Sequence, residues 1–279
     1  MSSNHTDSQY QSKSGPESGA EQVPGSGKGA IPEALTDEAL LRYSRHVLLS
    51  SMDESKQLAI LNARVLVVGV GGLGCSVLPY LVAAGVGHLV LVDGDKVEQS
   101  NLQRQILHGE GDTGKSKVQS AIESLSKLNS DCQFEPVDAY FSEAHSQLVA
   151  NADVVVDCTD NLDTRNLLNR LCWASKTPLV SGSAIRLEGQ LATFPMKEGS
   201  ACYACLSRLL QAENLTCSQA GVLSPIVGVI GSLQATETLK VITGIGDLCE
   251  NKVWLFDGLT MDFRSFKLQP NPDCGVCGQ

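Results

Sequence analysis

The segment Arg64-Val-Leu-Val-Val-Gly-Val-Gly-Gly-Leu-Gly74 limits the possible folds more sharply than any other part of the chain. A short β-rich run leads straight into glycines at 69, 71, 72 and 74 and then into the apolar helical pattern Leu73–Ala84. Small residues at a strand-to-helix turn let the backbone approach a phosphate, and the helix N-terminus supplies free N–H donors. A second apolar run, Leu89–Val92, closes on Asp93 about twenty residues beyond the glycines, where a carboxylate can accept from ribose hydroxyls. Gly71 and Asp93 are therefore candidate nucleotide contacts. Alone, this pattern is a dinucleotide fingerprint and leaves NAD and ATP both open.

The same alternation continues. Lys115–Leu128, Val154–Asp157, Asn161–Ser175 and Pro178–Ser181 read in turn as helix, strand, helix and strand. Short β-rich runs separated by amphipathic helices predict an α/β fold, a doubly wound, mostly parallel Rossmann-like sheet covered on both faces. After Gly182 the pattern changes to antiparallel hairpins, Gln190–Phe194 and Val253–Phe256 with Phe263–Leu268, around an apolar helix at Ile226–Ile242. Upstream, an acidic first turn after Thr36 leads into a helix over 39–49 that carries Arg42 and Arg45 outside its apolar stripe. Residues 1–33 are rich in Ser, Gly, Pro, Gln and Glu and are expected to be a disordered tail, leaving 34–279 as one domain. A length of 279 residues at 42% apolar composition suits one α/β core with at most a small appendage.

Net charge decides what the partners are not. At −10 the chain lacks the cationic excess of a nucleic-acid surface, so any phosphate site must be built locally. No apolar run is long enough to span a membrane and no signal-like N-terminus is evident, which predicts a cytoplasmic protein.

Local cations follow Asp93. Ser100-Asn101-Leu102-Gln103-Arg104-Gln105 and Lys115-Ser116-Lys117 gather Arg, Lys and amide groups behind the second strand. Hydride transfer has little use for them, whereas cleavage of ATP between its α and β phosphates needs fixed cations on the leaving pyrophosphate. Ser100, Asn101, Leu102, Gln103, Arg104 and Lys117 are candidate nucleotide contacts, with Arg104 and Lys117 as catalytic cations; the alternatives are a surface ion pair for Arg104 and Lys115 in place of Lys117. Gly109–Ser116 matches the literal P-loop pattern, but no strand leads into it and Glu110 and Asp112 would sit among the phosphates, so it is read as a decoy. The run Asp153–Asp157 ends in Cys158-Thr159-Asp160-Asn161. A carboxylate at that edge of a parallel sheet suits Mg²⁺ between phosphate oxygens, which makes Asp160 the magnesium candidate and Asn161 a nucleotide contact; the plainer role for Asp160 is a helix cap.

Cys202-Tyr-Ala-Cys205 and Cys274-Gly-Val-Cys277 offer two thiolates each from one turn. Two such knuckles make the closed four-sulfur set of a structural zinc; redox dithiols are the alternative. Cys217, in the polar stretch Leu215–Gly221, is a candidate nucleophile or a bystander.

Taken together, Arg42-Tyr-Ser-Arg45, Gly69-x-Gly-Gly-Leu-Gly74, Asn101-Leu-Gln-Arg-Gln105, Asp157-Cys-Thr-Asp-Asn161 and the paired cysteines resemble the MoeB/ThiF/HesA family of adenylyltransferases, relatives of ubiquitin-activating enzyme. The likeness runs from about Asp37 to Gln279, and the segments 178–190 and 221–234 place it nearest the MoeB type. The resemblance implies a homodimer that binds MgATP and adenylates the C-terminal glycine of a small ubiquitin-like, MoaD-like sulfur carrier ending in Gly-Gly, for molybdenum cofactor synthesis. It implies Gly71 and Asp93 on the nucleotide, Asn101, Arg104 and Lys117 on the phosphates, Asp160 on Mg²⁺, and Arg45 reaching into the phosphates of the partner subunit. Because the chain stops just after Cys277, no appended rhodanese-like domain is expected, and a separate sulfurtransferase would supply sulfur. The near rival keeps the chemistry with a ThiS-like carrier for thiamine, Cys217 forming a covalent link. More distant rivals are an NAD-dependent oxidoreductase and a non-catalytic zinc scaffold.

Overall fold

The computed structural model describes residues 34–209 and 220–278; the expected tail and Cys217 lie outside the described residues. One eight-stranded sheet runs through the domain in the order β3-β2-β1-β4-β5-β6-β7-β8. Its parallel half comprises β1 (Arg64–Val68), β2 (His88–Val92), β3 (Gln133–Val137) and β4 (Val154–Asp157), joined by β5 (Leu179–Ile185). From β5 the sheet continues antiparallel through β6 (Glu188–Phe194), β7 (Lys252–Asp257) and β8 (Asp262–Lys267). The expected doubly wound sheet with an antiparallel extension is thus the observed one.

Alternation along β1 shows why its run is apolar throughout. Val65 and Val67 face one core with α3 (Gly72–Ala84), α4 (Lys117–Leu125) and the long helix α8 (Ser224–Thr243). Leu66 and Val68 face a second core with α5 (Ser146–Ala150), α6 (Leu162–Ser175) and α7 (Tyr203–Leu209). A strand buried on both faces has no polar side to show.

The short helices α5 and α7, the edge strand β3 and the helix α2 (Glu54–Asn62) escaped the sequence reading. The edge strand β3 contains Glu135 and Pro136 and is half exposed; proline is tolerated there because an edge needs no second ladder. The helix α2 buries only Gln57 and Ile60, so its apolar periodicity is faint. It is capped by Asp53, whose carboxylate accepts from Lys56 N–H at 2.9 Å.

The first helix, α1 (Asp37–Val47), is capped by Thr36 and lies at the amino-terminal edge of the sheet. The hydroxyl of Tyr43 accepts from Asn129 and lies against Gly85, Arg42 donates to Leu128 O at 2.6 Å, and Gln57 of α2 donates to Ala84 O. Those partners precede β2 and β3. Among the described residues, no helix is long and apolar enough to cross a membrane.

Candidate functional site

In this sheet the strand order reverses at β1, with β2 on one side and β4 on the other, and crevices at such a reversal open at the carboxyl ends of the strands. The glycine loop, Asp93 and Asp160 all sit on that edge. Gly69 has φ +96°, and a Cβ there would lie 2.7 Å from Cys158 O, so the loop folds directly against the segment leading to Asp160. Gly74 packs on the loop's own start, where a Cβ would meet Gly69 O at 2.2 Å. Gly71 occupies the N-cap of α3 with no side-chain cap, leaving the first-turn N–H groups directed at the crevice.

Asp93 makes two hydrogen bonds that the sequence reading did not foresee. Its two carboxylate oxygens accept from Val70 N–H at 2.7 Å and Asp95 N–H at 2.8 Å, tying the glycine loop to the end of β2. Burial raises its pKa above the ordinary carboxylate value, against the pull of Lys117. Lys117, buried at the start of α4, donates to Asp95 Oδ2 at 2.8 Å, and Tyr140 O–H donates to Asp95 Oδ1 at 2.8 Å. Its competitor Lys115 is bound on the surface to Asp112 at 2.9 Å and Glu123 at 3.1 Å. The P-loop decoy is a short 3-10 turn at Glu110–Asp112 in which Asp112 accepts from Gly109 N–H.

The stretch after Asp93 forms a second 3-10 turn, Gln99–Asn101. Asn101 accepts from Glu98 N–H at 3.2 Å, and Arg104 donates to Ser100 O at 3.2 Å, so both are held within the turn. Ser100 and Gln103 are exposed, while Leu102 and Arg104 are half-buried. Gln105, which the sequence reading quoted but gave no role, is 3% exposed, and its Oε1 accepts no hydrogen bond among the described residues. Its Nε2 lies 3.7 Å from where a Gly71 Cβ would be. Behind the loop, His108 contacts Ser120 Oγ at 2.9 Å and is kept toward its neutral form by burial.

At the end of β4, Asp157 is fully buried and accepts from Thr159 N–H, Thr159 O–H and Ser181 O–H. Asn161, and not Asp160, caps α6: its Oδ1 accepts from Thr164 N–H at 2.9 Å. Asp160 is exposed on the crevice edge beside it. Arg165, buried in α6, donates to the carbonyls of Thr159 and Gly182 and lies over the Tyr203 ring. This brace was not anticipated, because its partners are set by the packing of α6 on the sheet.

The four cysteines expected to bind metal come together. Their sulfurs lie within 4.8 Å of one another, with Cys202–Cys274 at 3.7 Å and Cys205–Cys277 at 3.4 Å. A tetrahedral zinc with sulfur at about 2.3 Å needs sulfur pairs about 3.8 Å apart, so the set can hold zinc. Asn169 donates to Cys202 Sγ at 3.5 Å and Asn271 N–H to Cys205 Sγ at 3.4 Å, the outer bonds such thiolates require. Burial opposes ionisation of Cys274, yet the N–H groups of Cys277 and Val276 bring it down to about 7. By contrast, burial pushes the thiols of Cys75, Cys132 and Cys249 up to about 12. Arg45 is exposed on α1, at the opposite end of its own sheet from the crevice.

Residues 43–276 match the family model described as the ThiF family. The chain is 48% identical over 246 residues to a molybdopterin-synthase adenylyltransferase of Escherichia coli, an alignment that covers 88% of this chain and 99% of that one. It is 47% identical to the adenylyltransferase and sulfurtransferase MOCS3 of Mus musculus over 88% of its own length and 54% of that protein's. Among solved structures, E. coli MccB with ATP superposes with a TM-score of 0.75 at 27% identity, covering 85% of this chain and 75% of that one.

Proposed function

This chain belongs to the ThiF family, and from that membership we propose that it is an ATP-dependent adenylyltransferase acting on the C-terminal glycine of a MoaD-like ubiquitin-like sulfur carrier, for molybdenum cofactor synthesis. One juxtaposition carries the reading. The glycine loop, Asp93, the half-buried Arg104, the buried Lys117 and the exposed Asp160 share the carboxyl edge of one sheet in an otherwise acidic protein. Donors and cations so arranged suit a triphosphate better than a nicotinamide, because pyrophosphate departure needs charge neutralised by groups already in place.

In this reading a carboxylate oxygen of the carrier attacks the α-phosphorus. The bond from that phosphorus to the α,β-bridging oxygen breaks, and pyrophosphate leaves with the electron pair. The first-turn N–H groups at Gly71 and beyond hold phosphate oxygens, and Asp93 accepts from the ribose while it keeps the loop in register. Asn101, Arg104 and Lys117 hold the phosphates, with Ser100, Leu102, Gln103 and Asn161 lining the nucleotide. Asp160 holds Mg²⁺, which when bound neutralises phosphate charge. Zinc on Cys202, Cys205, Cys274 and Cys277 is structural, since all four positions are filled by protein sulfur.

The working unit we propose is a cytoplasmic homodimer. Arg45 cannot serve its own crevice from the far end of the sheet, and the exposed Leu41, Leu48 and Leu49 around it suit a covered face. The exposed pair Trp254 and Phe263, with Leu259 and Met261 on the same hairpin, offers apolar ground for the carrier. A separate sulfurtransferase then completes the sulfur transfer. Labelled pyrophosphate exchange into ATP tests the assignment: exchange should require a MoaD-like carrier with an intact Gly-Gly end. Exchange with a ThiS-like carrier alone would move the assignment to thiamine, and exchange with neither would sink it.

A further inference from the structure

Tyr140 is 73% exposed, yet it is not free to wander. It follows β3, and its hydroxyl donates to Asp95 Oδ1 at 2.8 Å. Its backbone and ring lie against Gly94, where a Cβ would come within 2.7 Å of Tyr140 N and 2.9 Å of its Cγ. Asp95 in turn holds Lys117 through its other oxygen at 2.8 Å. One carboxylate therefore fixes both an aromatic ring and a buried lysine of the crevice. The bond to Asp95 raises the Tyr140 pKa, which keeps the phenol a donor.

The sheet order gives the ring a use. The glycine loop follows β1 and Asp93 follows β2, while β3 is the next strand outward. A nucleotide with phosphates on the first and ribose on the second extends its base toward the third, about 10 Å from the loop at two strand spacings. The element that reaches that place is the segment bearing Tyr140.

We propose that Tyr140 is the stacking platform for the nucleobase, held there by Asp95. The proposal rests on ATP being the nucleotide. Every base has a π face, so the ring supplies grip and not choice of base. Anchoring by the phenol keeps an exposed ring in one orientation before the ligand arrives, which lowers the entropy lost on binding.

Calorimetric titration of the full chain with MgATP and, separately, with inorganic tripolyphosphate tests this. Tyr140→Ala should raise the Kd for MgATP about ten-fold and leave tripolyphosphate binding unchanged. Tyr140→Phe keeps the ring and should stay within about three-fold of the parent protein. Tyr140→Trp should show fluorescence quenching with ATP and none with tripolyphosphate, after subtraction of the parent signal. Equal ATP affinity in Tyr140→Ala and the parent overturns the platform while leaving the adenylyltransferase reading intact, as does Tyr140→Phe binding as weakly as Tyr140→Ala. A parent protein that binds no ATP overturns both.

Discussion

Two lysines two residues apart show how burial assigns chemistry that sequence leaves open. Lys115 spends its charge on Asp112 and Glu123 in solvent, where screening leaves an ion pair little to contribute. Lys117 is 6% exposed and faces Asp95, half of whose side chain is open to the crevice. A buried ammonium with one exposed counter-charge is poised to exchange or share it with an incoming phosphate, and low dielectric strengthens that contact. Lys117→Ala should therefore slow carrier-dependent pyrophosphate exchange by about 10²-fold or more, while Lys115→Ala should stay close to the parent rate. Steady-state exchange at saturating carrier measures both, and equal losses would mean that the two side chains have been assigned wrongly. Asp93 carries a related lesson. Its place after β2 marks it as a candidate ribose contact, but its bonds to Val70 and Asp95 were not legible, because they join backbone groups whose positions exist only after folding.

At the scale of elements, α6 is held to the crevice by Arg165 more than by its cap. The guanidinium donates to the carbonyls of Thr159 and Gly182, sits 3.9 Å from the buried Asp157, and covers the Tyr203 ring. Tyr203 N–H donates to Asn169, which donates to Cys202, so the same packing links the turn before Asp160 to the cysteine cluster. Replacing Arg165 by Met leaves Asp157 buried without its counter-charge and should cost about 3–5 kcal/mol of stability, measured by urea denaturation; a loss under about 1 kcal/mol would show that the brace is dispensable. The strands β1, β2 and β4 and the helices α3 and α8 could be read from the sequence because each is long or uniformly apolar enough to show its period. The edge strand β3 could not, since Glu135 and Pro136 break the pattern and only pairing with β2 makes it a strand. Gln105 stood in a quoted motif, but its burial against Gly71, with an unsatisfied oxygen, depends on the turn that follows β2. The paired Cys-x-x-Cys spacing was the opposite case: it named its own partners across the chain, and the sulfurs meet.

Within one molecule the crevice and Arg45 occupy opposite ends of the sheet, and that separation can be converted into a count of working sites. If each site takes Arg104 from its own chain and Arg45 from the other, Arg45→Ala and Arg104→Ala homodimers are both inactive. Co-expressed in equal amounts, the two variants pair at random, and about half of the dimers contain one chain of each kind. In such a dimer the site on the Arg45→Ala chain keeps its own Arg104 and receives Arg45 from its partner, while the other site lacks both. Exchange activity should then recover to about a quarter of the parent value per chain. If instead Arg45 served its own chain, every site would lack one arginine and mixing would restore nothing. Measured pyrophosphate exchange on the co-expressed pair, with each homodimer as its blank, separates these outcomes because recovery can come only from a site assembled across two chains.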